Sequence, residues 1–121
     1  MSEVRPKTIF CDIDGTLVEQ SSPDQTASHE FSPKILMGTL EKLKEWDKKG
    51  YNIILTTGRK ESMRKATEKQ LSLCGIYYDQ LIMGIGGGER IIINNLKPNG
   101  TKNYCSAINI PIDTGISNID I

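Results

Sequence analysis

The sequence predicts an α/β domain in which parallel strands alternate with helices. Short apolar runs alternate along the chain with amphipathic helical patterns, and the runs at residues 9–11 and 53–55 are continuously apolar. Continuous apolar strands are typical of parallel sheets, which are buried on both faces, and the crossovers between such strands are right-handed. We therefore expect a Rossmann-like three-layer sandwich with a mainly parallel, five-stranded sheet.

The length and composition predict one domain, residues 1–121, around a single core. Fifteen basic and fifteen acidic side chains cancel, so no broad positive field favours nucleic acid or an anionic membrane as a partner. The three cysteines lack the spacing of a disulfide framework or a zinc site, and we expect them to be buried thiols. The chain shows no long apolar span and no signal-peptide pattern, which predicts a cytoplasmic protein.

The first predicted strand begins at about Thr8 and ends in two carboxylates. Asp12 and Asp14 stand at i and i+2, so an extended chain places both on one side, and Gly15 then turns the chain. Carboxylates at the end of a strand are costly unless a cation or hydrogen bonds compensate them. Mg²⁺ fits that need, because it takes one or two carboxylates together with water and substrate phosphate. Asp-Gly is also an ordinary turn signal, but a turn does not explain Asp12.

A polar loop and a helix are predicted next. Residues 19–30 contain almost no apolar side chains, and we expect a loop that hangs over the proposed site as a partial lid. The serine–proline pair at residues 32–33 predicts a helix start. Leucines at i, i+4 and i+7 follow, and Gly50 marks the end of this amphipathic helix.

The second strand, predicted at residues 51–55, runs into the tetrapeptide Thr56-Thr57-Gly58-Arg59. Hydroxyl groups at the end of a strand, beside a glycine that lets the backbone approach a ligand, could form a phosphate cradle. Thr-Gly is also a common loop sequence, so the tetrapeptide alone is a weak signal. Arg59 could touch substrate, or it could cover the edge of the sheet.

The rest of the helix and strand pattern follows in the same alternation. Residues 60–74 predict a second helix that Gly75 ends, and residues 81–83 predict a third strand. The glycines of residues 84–88 predict a loop, because they lack the context of a dinucleotide site or a P-loop. Two further strands are expected at residues 90–95 and 104–110.

The segment Asp12-Ile13-Asp14-Gly15-Thr16 resembles the first signature of the haloacid dehalogenase (HAD) superfamily, whose members are mostly Mg²⁺-dependent phosphohydrolases. The segment Thr57-Gly58-Arg59 resembles the second motif of that superfamily in wording and place. The resemblance implies that Asp12 is a nucleophile that forms an aspartyl-phosphate, and that Asp14 is the general acid/base. It also implies that Ile13, Thr57 and Gly58 contact substrate.

The last two motifs of the superfamily are less clear in this chain. The resemblance implies an acidic Mg²⁺ ligand after the fourth strand, where this chain has Asn94 and Asn95. The metal ligands would then be Asp12, Asp14 and the amide oxygen of Asn95, with Asn94 as the alternative. Lys97 is our expectation for the cation that neutralises the phosphate, and Arg90 is the alternative.

The same resemblance implies a sheet in the order 3-2-1-4-5, with the first strand central and no cap domain. It implies a Mg²⁺-dependent phosphatase acting on a sugar phosphate or similar small metabolite. A polynucleotide end-phosphatase is one alternative, and a non-catalytic phosphate-binding module is another. We expect no membrane partner, and a homo-oligomer in which a neighbouring subunit covers the site.

Overall fold

The computed structural model describes residues 5–96, 98 and 104–121. Three parallel strands form its sheet in the spatial order β1-β2-β3: β1 (Thr8–Asp12), β2 (Asn52–Thr56) and β3 (Gln80–Ile82). The register of β1 and β2 sets Asp12 directly opposite Thr56. The carboxyl ends of the three strands therefore meet at one edge, as ligand sites of open α/β sheets require.

A short helix interrupts the predicted polar loop. Helix α1 (Pro23–Thr26) begins with a capping box, because the Ser22 hydroxyl accepts from the Gln25 main-chain N–H and the Gln25 side chain accepts from the Ser22 N–H. The sequence Ser-Pro-x-Gln is a helix start of the kind that residues 32–33 suggested, but it lies ten residues earlier. The prediction of a loop without secondary structure was wrong at this turn.

Helix α2 (Thr39–Lys48) starts later than residues 32–33 predicted. The preceding segment is held in an extended form, since Ile35 bridges to Val18 and the Leu36 N–H donates to the Leu17 carbonyl. This pairing overrides the local capping signal. The predicted end is correct: α2 stops at Lys48, and Gly50 takes a positive φ of 76°.

The second predicted helix is present as a 3₁₀ turn (Glu61–Met63) that continues into helix α3 (Arg64–Leu73). Its buried side chains are Ala66, Thr67, Gln70 and Leu71, all of which the sequence placed on the inner face. Two of these four are polar. Buried polar groups need partners, and the partners of Gln70 prove to be part of the candidate site.

One hydrophobic core joins the sheet to the helices. Its fully buried large side chains come from the β1 turn, α2, β2 and the carboxyl-terminal tail: Ile13, Leu17, Leu43, Trp46, Ile53, Leu55 and Ile116. No helix in the described part of the chain is long and apolar enough to cross a membrane.

Two of the three cysteines are buried as predicted, and Cys105 is exposed, contrary to the prediction. Burial, with a smaller contribution from the Asp12 carboxylate, raises the pKa of the Cys11 thiol to about 12. Cys11 therefore stays neutral, and it is no competing nucleophile beside Asp12.

The expectation of five strands was wrong for the residues that the structure describes. The order of the first three predicted strands, 3-2-1, is confirmed, but residues 90–95 and 104–110 form no strand, so β1 lies at one edge of the sheet. Ile91, Ile92 and Ile93 are 75%, 60% and 93% exposed. Isoleucines of the tail pack against the core instead, which leaves the apolar run at residues 91–93 without a buried surface.

Candidate active site

The end of β1 turns sharply between the two aspartates. The Ile13 side chain is fully buried, and its carbonyl accepts main-chain N–H groups from Thr16, Leu17 and Val18 at 2.9–3.2 Å. Gly15 has a φ of 84°, which only glycine adopts without strain. The predicted turn is therefore present, and any substrate contact of Ile13 would have to come from its main chain.

The carboxyl-terminal tail holds this turn from outside. The Asp113 N–H donates to the Gly15 carbonyl at 2.8 Å, and the Asp113 carboxylate accepts the Gln20 N–H at 2.9 Å. A Cβ added at Gly15 would lie only 2.9 Å from Ile112. No local sequence pattern predicts this support, because it depends on residues almost a hundred positions apart.

Asp12 is the less constrained of the two carboxylates. Loss of solvent around its carboxyl group raises the pKa of Asp12, although the residue as a whole remains in contact with water. A hydrogen bond from the Ile13 main chain lowers that pKa, and the nearby Asp14 carboxylate raises it. The charge of Arg90 opposes the increase. Among the described residues Asp12 has no ion pair, so its carboxylate is available to a ligand or a metal ion.

Asp14 is held by a bidentate ion pair with Arg59. The Arg59 Nε donates to one Asp14 carboxylate oxygen at 2.9 Å, and Nη2 donates to the other at 2.7 Å. The Arg59 side chain is only 5% exposed, and the Asp14 side chain is 16% exposed. Each carboxylate oxygen keeps a second lone pair, so Asp14 can still accept and return a proton. Removing one partner of a buried pair typically costs about 3–5 kcal/mol, so this pair fixes the position of Asp14 strongly.

The structure gives Arg59 partners that the sequence did not predict. Its side chain is buried rather than spread over the sheet edge, and a contact with substrate stays a prediction. Its remaining guanidinium nitrogen, Nη1, donates to the Thr67 hydroxyl at 3.2 Å and to the Gln70 side-chain oxygen at 2.8 Å. Arg59 therefore connects helix α3 to the carboxylate that is expected to carry protons.

Thr57 and Gly58 lie at the end of β2, where the second motif was predicted. The Thr57 side chain is 1% exposed, and its hydroxyl oxygen accepts the Arg59 main-chain N–H at 3.0 Å. The hydroxyl keeps its own hydrogen to donate. Contact of Thr57 with a phosphoryl oxygen stays a prediction.

The glycine at position 58 has a specific packing reason. A Cβ there would come within 2.9 Å of the Gly86 carbonyl oxygen. The glycine-rich loop at residues 84–88 is fastened to the same place, since the Gly84 N–H donates to the Arg59 carbonyl at 2.8 Å. This loop thus forms one wall beside the second motif.

Of the residues predicted for the later motifs, only Arg90 shows an interaction with the aspartates in the described part of the chain. Asn94 and Asn95 are exposed and line a surface cavity with neighbours that include Tyr104 and Cys105. Arg90 is close enough for its charge to lower the pKa of Asp12. Lys97 lies outside the described residues. Asn95 as a metal ligand and Lys97 as the phosphate cation therefore stay predictions.

The carboxylates fit Mg²⁺ better than a metal that needs a full protein cage. Within residues 5–96, 98 and 104–121, no three His, Cys, Asp or Glu side chains are grouped to hold an ion. Asp12 offers a carboxylate without an ion pair, whereas both Asp14 oxygens are engaged by Arg59, which leaves the Asp14 main-chain carbonyl. Mg²⁺ needs few protein ligands because it keeps several waters.

Sequence reasoning missed the two side chains that organise the site, Arg59 as a partner of Asp14 and Gln70 as a partner of Arg59. The signal was available in part. Gln70 falls on the apolar face of α3, and a polar side chain at a core position predicts a buried hydrogen bond. The identity of its partners required the tertiary structure.

Comparison with known families matches residues 6–88 to the family described as "Polynucleotide kinase PNKP phosphatase domain". No curated protein sequence matches the chain significantly.

Two solved structures of a Pnkp1/Rnl/Hen1 complex, one of them described as an RNA repair complex, contain similar chains. They are 31% and 30% identical over 64% and 71% of this chain, with TM-scores of 0.54 and 0.57. This chain spans only 25% and 30% of their length. A crystal structure of a protein from Vibrio cholerae is 20% identical over 80% of this chain and 89% of its own, with a TM-score of 0.52, and supports the fold alone.

Proposed function

The chain belongs to the family of polynucleotide kinase PNKP phosphatase domains, which are phosphatases of the HAD superfamily, and we propose that it hydrolyses phosphate monoesters with Asp12 as the nucleophile. An Asp12 oxygen bonds to phosphorus while the bond to the leaving-group oxygen breaks, and Asp14 gives that oxygen a proton. Asp14 then takes a proton from water, whose oxygen attacks phosphorus. Inorganic phosphate leaves, and the Asp12 carboxylate is restored.

The contrast between the two carboxylates is the observation that carries this proposal. Asp12 has no ion pair among the described residues, as a nucleophile that must reach phosphorus requires. Asp14 is held at both oxygens by Arg59 and can move a proton without moving itself. Two neighbouring carboxylates in different environments are suited to two different roles.

The residues that would hold Mg²⁺ are the Asp12 carboxylate and the Asp14 main-chain carbonyl, with the Asn95 amide oxygen as a third ligand. When bound, the ion would supply positive charge against the phosphoryl oxygens. Arg90, whose charge already acts on Asp12, would add to that charge from the protein itself.

We propose a polynucleotide end phosphate as the substrate. The family description and the RNA repair complex that contains a similar chain support this class over the small metabolite that we first expected. An end phosphate is an exposed phosphoryl group, and the site lies open at the edge of the sheet. A small sugar phosphate is the second candidate, because the zero net charge provides no broad field for a polynucleotide.

The test is phosphate release from a matched panel of substrates, with and without Mg²⁺. The panel contains oligonucleotides phosphorylated at the 3′ end or the 5′ end, sugar phosphates, and p-nitrophenyl phosphate. We expect the highest kcat/KM for one of the oligonucleotide ends, and no release by Asp12→Asn. A higher kcat/KM for a sugar phosphate would favour the second candidate. No release from any substrate would favour a non-catalytic phosphate-binding module.

A further inference from the structure

Gln70 of helix α3 is a buried polar side chain that is hydrogen-bonded at both its oxygen and its nitrogen. It is 1% exposed, and its side-chain oxygen accepts from Arg59 Nη1 at 2.8 Å. Its side-chain nitrogen lies 3.1, 3.1 and 2.8 Å from three carbonyl oxygens, those of Gln25, Thr26 and Ser28. A carboxamide has two N–H donors, so three carbonyls share two hydrogens.

These partners allow only one orientation of the amide. Turning it over would direct two N–H donors at a guanidinium, which has no acceptor, and would set the amide oxygen against three carbonyl oxygens. The Gln70 side chain is therefore locked between a positive group on one side and a row of acceptors on the other. Such a contact couples the position of Arg59 to that of the three carbonyl groups, because neither side can shift without leaving buried polar groups unpaired.

The segment at residues 22–28 depends on this contact. Its other hydrogen bonds in the described part of the chain stay within the segment or join its last residue to Glu30, as in the Ser22–Gln25 capping box and the Ser28 N–H to the Gln25 carbonyl. Helix α1 has four residues, too few to be stable alone. Thr26 is its only buried residue. Gln70 is therefore the polar tether that fixes this segment against α3.

We propose that Gln70 is a positioning residue for the phosphatase reaction, linking residues 25–28 to Asp14 through Arg59. This inference rests on the proposed function of Asp14 as general acid/base. Gln70 accepts a hydrogen bond from Arg59 Nη1. The other two nitrogens of the guanidinium, Nε and Nη2, then meet the Asp14 carboxylate in one geometry. A displacement of residues 25–28 would therefore reach Asp14 through Gln70 and Arg59. The segment is thus coupled to proton transfer without touching Asp14.

The experiment compares three variants on the same helix. Gln70→Met keeps the side-chain volume and removes both the acceptor for Arg59 and the donors to the segment. Thr67→Val removes only the second Arg59 acceptor and leaves the segment attached. Ser72→Ala, at an exposed position of α3, is the control for the helix itself.

Two structural readouts do not need activity. One is the Nε–H resonance of Arg59 in a nitrogen–proton NMR spectrum, assigned by its loss in Arg59→Lys. The other is hydrogen exchange of the amides of residues 26–28. We expect Gln70→Met to shift or broaden the resonance and to speed the exchange, and Thr67→Val to affect the resonance alone. Ser72→Ala should change neither.

The catalytic readout is the dependence of kcat on the leaving group. A misplaced acid harms an alkyl phosphate, whose leaving oxygen needs a proton, more than p-nitrophenyl phosphate. For Gln70→Met we expect kcat to fall roughly 10–100-fold with the alkyl phosphate, in line with a misplacement of the catalytic group. The loss with p-nitrophenyl phosphate should be several-fold smaller.

The outcomes distinguish a failure of the inference about Gln70 from a failure of the proposed phosphatase function. An unchanged Arg59 resonance in folded Gln70→Met would overturn the inference while the phosphatase function stands. Equal losses of kcat for both leaving groups would overturn it as well, because a general loss of structure affects both. A wild-type protein without any phosphatase activity would instead overturn the proposed function, and the catalytic part of this inference with it.

Discussion

Two isoleucine-rich runs of this chain differ in burial and in secondary structure. In β2, Ile53 and Leu55 are 1% and 0% exposed, and the strand is paired on both sides. At residues 91–93, three consecutive isoleucines are 60–93% exposed and lie in no strand. The local sequences are nearly equivalent. What differs is the pairing: β2 lies between two strands, whereas residues 91–93 pair with neither edge strand, β1 or β3. An apolar run is therefore not sufficient by itself to form a strand.

The candidate site residues are also divided unequally between two regions of the chain. The amino-terminal region (residues 5–88) contains both aspartates, Arg59 and Gln70, and hydrogen bonds join Asp14 to Arg59 and Arg59 to Gln70. The carboxyl-terminal region (residues 89–96, 98 and 104–121) contributes the charge of Arg90 and the support of the β1 turn. The family match ends at residue 88, the same boundary. The comparison predicts that catalysis depends on the first region far more than on the second.

Among variants that keep the Asp12 nucleophile, the largest effect is expected from Asp14→Asn in the amino-terminal region. Loss of a general acid/base typically costs 10²–10⁴-fold in rate, and an amide cannot carry the proton. Poor leaving groups should suffer most, as measured by kcat for an alkyl phosphate against p-nitrophenyl phosphate. The matched control is Asp120→Asn, at an exposed carboxylate of the other region, which should retain wild-type kcat. Equal losses for both leaving groups would argue against the acid role.

A stability measurement compares the two isoleucine runs directly. Ile53→Ala should destabilise the protein by about 2–5 kcal/mol, because it leaves a cavity in the core. Ile93→Ala, at a side chain 93% exposed, should change the free energy of unfolding by less than about 0.5 kcal/mol. Urea unfolding of both variants gives the two values. A cost above 2 kcal/mol for Ile93→Ala would mean that the run is buried in solution and would break the comparison.

A smaller effect tests whether the carboxyl-terminal region reaches the metal. If the Asn95 amide oxygen is a Mg²⁺ ligand, Asn95→Asp adds a negative charge that a hard cation prefers. Mg²⁺ affinity should then rise about tenfold or more, equivalent to about 1.4 kcal/mol or more. Titration calorimetry measures it, with Asn94→Asp as the neighbouring control.

The two asparagine variants distinguish whether Asn95, Asn94 or neither residue is a Mg²⁺ ligand. An increase for Asn95→Asp alone assigns the ligand to Asn95, and an increase for Asn94→Asp alone moves it one residue back. No increase in either variant, with the fold confirmed by circular dichroism, would leave the metal on Asp12, the Asp14 carbonyl and water.

The sequence predicted the first region well because its signals are local. Apolar runs located three strands, and the resemblance to the HAD superfamily implied their order. Gly50 and Gly75 located two helix ends, and the spacing of Asp12 and Asp14 located the site. The start of α2 could not be predicted in the same way. Its position depends on the bridge between Val18 and Ile35, which no local pattern reveals.

The organisation of the site was only partly predictable. The sequence identified both aspartates, but for Arg59 it left open a contact with substrate or a cover over the edge of the sheet. Its real partner, Asp14, is 45 residues away, and the register of β1 and β2 brings the two together. The strand prediction at residues 90–95 failed for the opposite reason, since a strong local signal found no partner among the described residues.

The central claim is that Asp12 becomes phosphorylated during turnover. The most direct measurement is acid-quenched single turnover of ³²P-labelled p-nitrophenyl phosphate by Asp14→Asn. This leaving group needs no proton, so loss of the proton carrier slows hydrolysis of the intermediate more than its formation and should let the intermediate accumulate. We predict a protein-bound label that is stable to acid, labile to hydroxylamine, and located by peptide mapping on Asp12, with no label in the Asp12→Asn/Asp14→Asn double variant. Phosphate release without any labelled protein, or a label on another residue, would contradict the account.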